Sequence, residues 1–174
     1  SLKSFNADGF TLGDKGGVNN STGSANNFIS WNWKANGSGS SNTTGSINTT
    51  KTSANVDAGF SIIEYAGNGT AGATIGHGLS KAPEMWITKS KTGQWSASDW
   101  WDTYHKDIGA DNSVFLNDTI AAVDRSYYHD THPSSSVIYL GSDRSSNGSG
   151  HTFISYAFHS VDGYSKVGSY TGNG

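Results

Sequence analysis

The sequence predicts an all-β fold, an antiparallel β-sandwich of jelly-roll or lectin-like kind, and three observations predict it. Ser, Gly, Thr and Asn number 28, 23, 16 and 15, together 82 of 174 residues, and these types favour turns and caps over helix interiors. Short runs of β-branched and aromatic residues stand between Gly/Asn/Ser clusters, the pattern of strands joined by tight connections. Leu, Ile, Val and Phe total only 29 while Trp, Tyr and Phe total 21, so aromatic rings must supply much of the buried area.

The strands expected in order are 28–34, 59–66, 84–89, 113–117, 136–140, 152–159 and 163–170. In the first, Phe28, Ser30 and Asn32 alternate with Ile29, Trp31 and Trp33, the period of a strand with one buried face. The same alternation runs from Thr152 to Phe158, and Trp33 and Phe158 are expected in the core. Only 118–126 reads as a helical turn, with Asp118 as its cap. Seven short strands suit two packed antiparallel sheets better than a closed barrel.

Two segments recur. Phe10-Thr11-Leu12-Gly13, a Gly/Asn/Ser loop and Phe28-Ile29-Ser30-Trp31-Asn32-Trp33 return as Ile138-Tyr139-Leu140-Gly141, a loop with Asn147-Gly148-Ser149-Gly150, and Phe153-Ile154-Ser155-Tyr156-Ala157-Phe158. Gly59-Phe60-Ser61-Ile62-Ile63-Glu64-Tyr65-Ala66-Gly67-Asn68-Gly69 returns at Gly163–Gly174 with one residue inserted. The repeat divides the chain into three parts. Residues 1–58 are the closing part of a preceding repeat plus a Gly/Ser/Thr/Asn-rich linker at Gly37–Val56. Residues 59–162 are a complete β-sandwich module, and 163–174 are the opening strand of a following repeat or a strand that completes the module.

These repeated motifs occur together with Gly76-His77-Gly78-Leu79, Ala82-Pro83, Trp86-Ile87-Thr88-Lys89 and Trp101-x-x-Tyr104-His105-Lys106-Asp107-Ile108-Gly109. As an ordered set the sequence resembles an uncharacterised tandem-repeat β-domain of structural and tail-fibre proteins of marine tailed bacteriophages, and the resemblance covers nearly the whole chain. It implies a virion protein and carries over no catalytic residue. Gln94–Trp101 is richer in Trp than that family's pattern, which marks it as a place for a private binding function.

The net charge is −3, from 11 basic and 14 acidic residues, and no basic cluster points to nucleic acid as a partner. There is no cysteine, which excludes disulfides, thiol nucleophiles and Cys-based zinc sites. No apolar run approaches the roughly 18 residues of a membrane span, and Ser1–Phe5 carries no signal-peptide core, so no membrane insertion is expected.

The candidate ligand platform is Trp95, Trp100, Trp101, Tyr104, Tyr127 and Tyr128, because flat rings stack on the apolar faces of sugars. The same rings are also what the core of an aliphatic-poor sandwich needs. Trp100 and Trp101 cannot both point inward from one strand. His129, Asp130 and His132, with His105 and His77 elsewhere, read first as a solvated turn, since Pro133 follows directly. His77 reads as a structural hydrogen-bonding group rather than a base. The aspartates are too irregularly spaced for an EF-hand loop, so no metal is assigned. Glu64 and Glu84 are the two glutamates, and nothing in sequence pairs them for glycoside hydrolysis. Eight Asn-x-Ser/Thr sites follow from composition alone.

The expectation is therefore a non-enzymatic protein without cofactors on the virion surface, outside the cell: a tail-fibre or appendage module for host attachment. Its expected partners are other virion subunits, further copies of itself as a homo-oligomer, and a host surface glycan. The alternatives are a capsid decoration or fibre-shaft module, and a secreted carbohydrate-binding or adhesin module.

Overall fold

The computed structural model describes residues 2–14, 19, 28–92 and 100–173. The chain divides into two compact units, Ser1–Trp33 and Lys34–Gly174.

In the first unit, strands β1 (Leu2–Asn6) and β2 (Gly9–Leu12) form an antiparallel hairpin in which Phe5 pairs with Phe10 and Asn6 with Gly9. The side-chain amide of Asn6 donates to the Thr11 hydroxyl across the ladder. The strand expected at 28–34 does not form. Alternation makes a strand only where a neighbour supplies ladder bonds, and 28–33 belongs to no sheet. Trp33, expected in the core, is exposed.

The second unit contains β3 (Lys51–Asn55), β4 (Phe60–Ala66), β5 (Ala73–Gly76), β6 (Met85–Ser90), β7 (Asp102–His105), β8 (Asn112–Phe115), β9 (Val123–Asp124), β10 (Val137–Leu140) and β11 (Thr152–Phe158). One sheet has the order β3-β4-β11-β6-β7-β8-β9, with antiparallel pairing throughout. The other pairs β10 with β5, Ile138 opposite Ile75. Side chains of both sheets meet in a single core, so the unit is an all-β sandwich with unequal layers.

Register explains the core residue by residue, because every second side chain of a strand faces the same way. One row across the inner face is Ser61, Ala157, Trp86 and Tyr104, and the next is Ile63, Ser155, Thr88, Asp102 and Phe115. Tyr65 and Phe153, paired on β4 and β11, stack 5.3 Å apart beyond the second row. Phe158 points the other way: its ring packs at a tilt against Phe60 on the outer face, 5.0 Å between centroids, and it is only half-buried. The expectation that it lies in the core is corrected by the parity of β11.

The segment expected as a linker, Gly37–Val56, is part of the sandwich. Ile47 and Thr49 are buried, Ile47 bridges to Ile75, and Lys51–Asn55 is an edge strand paired with β4. The boundary thus falls at 33/34 rather than 58/59. Ser/Thr/Asn composition hides this because the anchoring is polar: the Thr49 hydroxyl accepts from Asn42 N and faces the Thr52 hydroxyl at 2.8 Å.

Two further expectations are corrected. Asp118 accepts from the amides of Thr119 and Ile120, but no helix follows, and the chain enters β9 beside β8. Residues 163–170 form no strand, only a bridge between Val161 and Ser165. Among the described residues the one α-helical turn, α1 (Arg144–Asn147), is capped by Asp143, whose carboxylate accepts from the amide and hydroxyl of Ser145.

Candidate functional site

The sequence-predicted aromatic platform separates into three parts. Tyr104 on β7 is buried and stacks on Trp86 with ring centroids 3.8 Å apart. Tyr127 and Tyr128 reach the same core from the loop after β9, Tyr128 edge-on to both Trp86 and Tyr104. Positive φ at Ser126, His129 and Asp130 makes this loop a tight double turn, closed by His129 N to Ser126 O and Thr131 N to Tyr128 O. Tyr104, Tyr127 and Tyr128 therefore have no free face for a sugar, and their place in the platform is corrected to a place in the core.

Trp100 is half-buried and packs on the core beside Phe115, 4.7 Å away. The Arg125 guanidinium lies 4.5 Å over its ring and donates to the Tyr127 hydroxyl, a cation–π contact that covers one face of the indole. Trp101, also half-buried, donates its backbone N–H to the Asn117 side chain and accepts at its carbonyl from Leu116 N. Trp95 lies outside the described residues. Among the described residues of the predicted platform, Trp100 and Trp101 keep part of their surface exposed, Trp100 beneath the exposed Arg125.

The histidine turn has its own partners. His132 Nδ1 lies 2.7 Å from the Tyr104 hydroxyl, which burial pushes up to about 12 with help from Asp107, so that hydroxyl stays protonated and able to donate. Asp130 accepts from the Ser126 hydroxyl. Among the described residues, no three His, Asp or Glu side chains converge as a metal-holding group.

His77 is buried, accepts from Leu79 N at Nδ1 and meets the Ser134 carbonyl at Nε2. Burial lowers its pKa to about 4, against the pull of the Ser134 carbonyl, so the ring is neutral and holds the Gly-His-Gly-Leu turn by both nitrogens.

The glutamates are held apart. Glu64 pairs with Lys91 at 2.9 Å and sits opposite Ile154, whereas Glu84 N bonds the Phe158 carbonyl. Four residues of β11 separate these points, about 13 Å at the strand rise, beyond the carboxyl spacing of glycosidases. Glu84 Oε1 pairs with Lys106 at 2.6 Å, and Oε2 accepts from the backbone and hydroxyl of Ser160. Burial works against its charge, but the hydrogen bonds from Lys106 and Ser160 outweigh it and bring the carboxyl to about 2. It staples the start of β6 to the ends of β7 and β11.

Sequence reasoning missed Asp102. It is fully buried in the second inner row, and neither carboxylate oxygen has a hydrogen-bond partner. Burial raises its pKa to about 7, with Asp143 adding to the shift and Ser145, Arg125 and Lys89 only partly offsetting it. The alternation around Trp101-Asp102-Thr103-Tyr104 places Asp102 on the face of Tyr104, a signal legible once that ring is assigned to the core.

The fold defines a small β-sandwich module with an aromatic core, a buried polar row and a half-buried Trp100 covered by Arg125 beside its large sheet. Over residues 1–174 the sequence matches the family described as a domain of unknown function (DUF7483), and the chain belongs to that family. No curated protein and no solved structure matches it.

Proposed function

We propose that the protein is a non-enzymatic module of a phage tail fibre or similar surface appendage, which displays loops for attachment to a host surface glycan. The observation that carries this reading is the repeat: motifs that build β10, β11 and β4 of the sandwich recur at 10–13, 28–33 and 163–174, as in a protein made of serial modules. A rigid aromatic core under Ser/Thr/Asn-rich loops suits display, since loops on a fixed scaffold tolerate variation. The half-buried indoles of Trp100 and Trp101, with the exposed Arg125 guanidinium over Trp100, offer ring surface beside a charged hydrogen-bond donor, the pairing that sugar recognition uses.

The test is binding of the labelled 174-residue chain to a glycan panel and to intact marine bacteria. Saturable binding that Trp101→Ala weakens at least about tenfold supports the reading. Binding to neither, or binding unchanged in Trp101→Ala, turns the assignment to its alternative, a fibre-shaft or capsid-decoration module, which the exposed β1–β2 hairpin favours.

A further inference from the structure

We infer that the protein forms a two-fold dimer in which the outer faces of two large sheets pack together, about an axis that lies in the interface and crosses the strands at right angles.

Strand parity defines the face. Ile63, Trp86, Tyr104 and Phe153 enter the hydrophobic core, so the residues that alternate with them point outward. The central outward row is Ile62, Tyr156, Ile87, Thr103 and Val114. On one side of it lies a row with Phe60, Phe158 and Met85, and on the other a row with Lys51, Glu64, Ile154 and Lys89. Ile62, Tyr156, Val114, Ile154, Met85 and Phe158 are only half-buried, and none belongs to the core that joins the two sheets. An antiparallel sheet with one solvated face ordinarily sets polar side chains there, and this one sets apolar side chains instead.

Charge identifies the occupant as a second copy. Glu64 pairs with Lys91 and Glu84 with Lys106. Beyond these pairs, the end of the face where β3 begins carries Lys51 and Lys89. The other end, where β3 turns into β4 and where β7 and β11 finish, carries Asp57, Asp107 and Asp162. The face is therefore positive at one end, negative at the other and apolar between. A copy turned end for end satisfies both ends at once, whereas a ligand of one charge opposes one of them. A two-fold axis across the strands produces this arrangement: Lys51 comes over the partner's Asp57, and the Tyr156 row meets itself at the axis. An axis along the strands would set lysine on lysine.

The size of the face suits a reversible dimer. From β3 to β8 it spans five interstrand spacings, about 24 Å, and β4 and β11 run seven residues, about 23 Å. Two such faces amount to roughly 1,100 Å² even as flat surfaces, near the lower bound of specific interfaces. Aligned sheet-on-sheet packing, the mode that builds sandwich cores, accommodates the twist of both sheets. The inference goes beyond the glycan reading, and its variants leave Trp101 in place, so the two fail separately.

The test is the light-scattering mass of the full chain over a concentration series, expected to rise from the monomer to a plateau at the dimer. Tyr156→Glu sets two carboxylates against each other at the axis and should raise the dissociation constant at least about tenfold. Lys51 and Asp57 are exposed, so reversing either leaves the fold intact. Lys51→Glu and Asp57→Lys should each weaken the dimer at least about threefold at low salt. An equimolar mixture of those two variants should regain wild-type association, because in the mixed dimer both contacts again join opposite charges. A mass that stays at the monomer, a mass that climbs past the dimer without a plateau, association indifferent to Tyr156→Glu, or a mixture no tighter than its components would overturn the inference.

Discussion

Two adjoining rows of the inner sheet face are built from opposite chemistry. Ser61, Ala157, Trp86 and Tyr104 form a row dominated by stacked rings, while Ser155, Thr88 and Asp102 set hydroxyls and a carboxylate between Ile63 and Phe115. The aromatic row obtains its stability from area and ring geometry, and deleting a ring leaves a cavity. The polar row depends on hydrogen-bond partners and protonation, so its contribution varies with solution conditions where that of the rings does not.

The strongest way to break the contrast is Trp86→Ala. Trp86 is fully buried against Tyr104 and Tyr128, and its loss should cost roughly 3–5 kcal/mol in urea unfolding, equally at pH 4.5 and pH 8.

The polar row is tested next by Asp102→Asn. A carboxyl raised from 3.8 to about 7 in the fold favours folding fully below pH 3.8, and that stability is lost as pH rises through 7, an effect on the order of 4 kcal/mol. His77 has the opposite sign. With its folded pKa lowered from 6.5 to about 4, it leaves stability intact above pH 6.5 and removes it as pH falls through 4. The wild type should therefore show a shallow profile between pH 4 and 6.5, because two slopes cancel. Asp102→Asn should expose the His77 slope, stability rising with pH across that window, and His77→Gln should expose the Asp102 slope, falling with pH. Parallel profiles for all three proteins would remove Asp102 and His77 as the cause.

Thr88→Val sharpens the comparison within the polar row. The Thr88 and Ser155 hydroxyls meet at 2.7 Å in the buried interior, so removing one strands the other at a cost of about 1–2 kcal/mol, whereas Thr88→Val/Ser155→Ala should recover most of it. Non-recovery in the double variant, measured by chemical denaturation, would point to a further partner for one hydroxyl. The smallest effect is expected from Tyr104→Phe, which keeps the ring stack and removes only the contact with His132, about 1 kcal/mol or less at this rim position.

The strands with strong alternation were legible in the sequence. β4, β6, β8, β10 and β11 fall within one or two residues of where the runs of Ile, Val, Tyr and Phe place them. β3, Lys51-Thr52-Ser53-Ala54-Asn55, was not, because an edge strand held by Thr and Ser hydrogen bonds has the composition of a loop. The 28–34 run shows the converse: its alternation is strong, yet a strand also needs a neighbour, and sequence periodicity carries no information about neighbours. For the candidate site, ring type was legible and depth was not. Tyr104 and Trp101 differ in exposure because of strand parity, and Tyr127 and Tyr128 are drawn inward by a turn with three non-glycine residues at positive φ, which nothing in their types announces.

The placement of β11 between β4 and β6 has a kinetic consequence. β4 is complete at Ala66 and β6 at Ser90, but neither has its central neighbour until Thr152–Phe158 has been synthesised. Closure of the large sheet is then a late, long-range event, of the kind that places β-rich domains in the roughly millisecond-to-second range of folding times. During that interval the chain presents two waiting strand edges, and the order in which segments leave the ribosome decides which strand fills the gap.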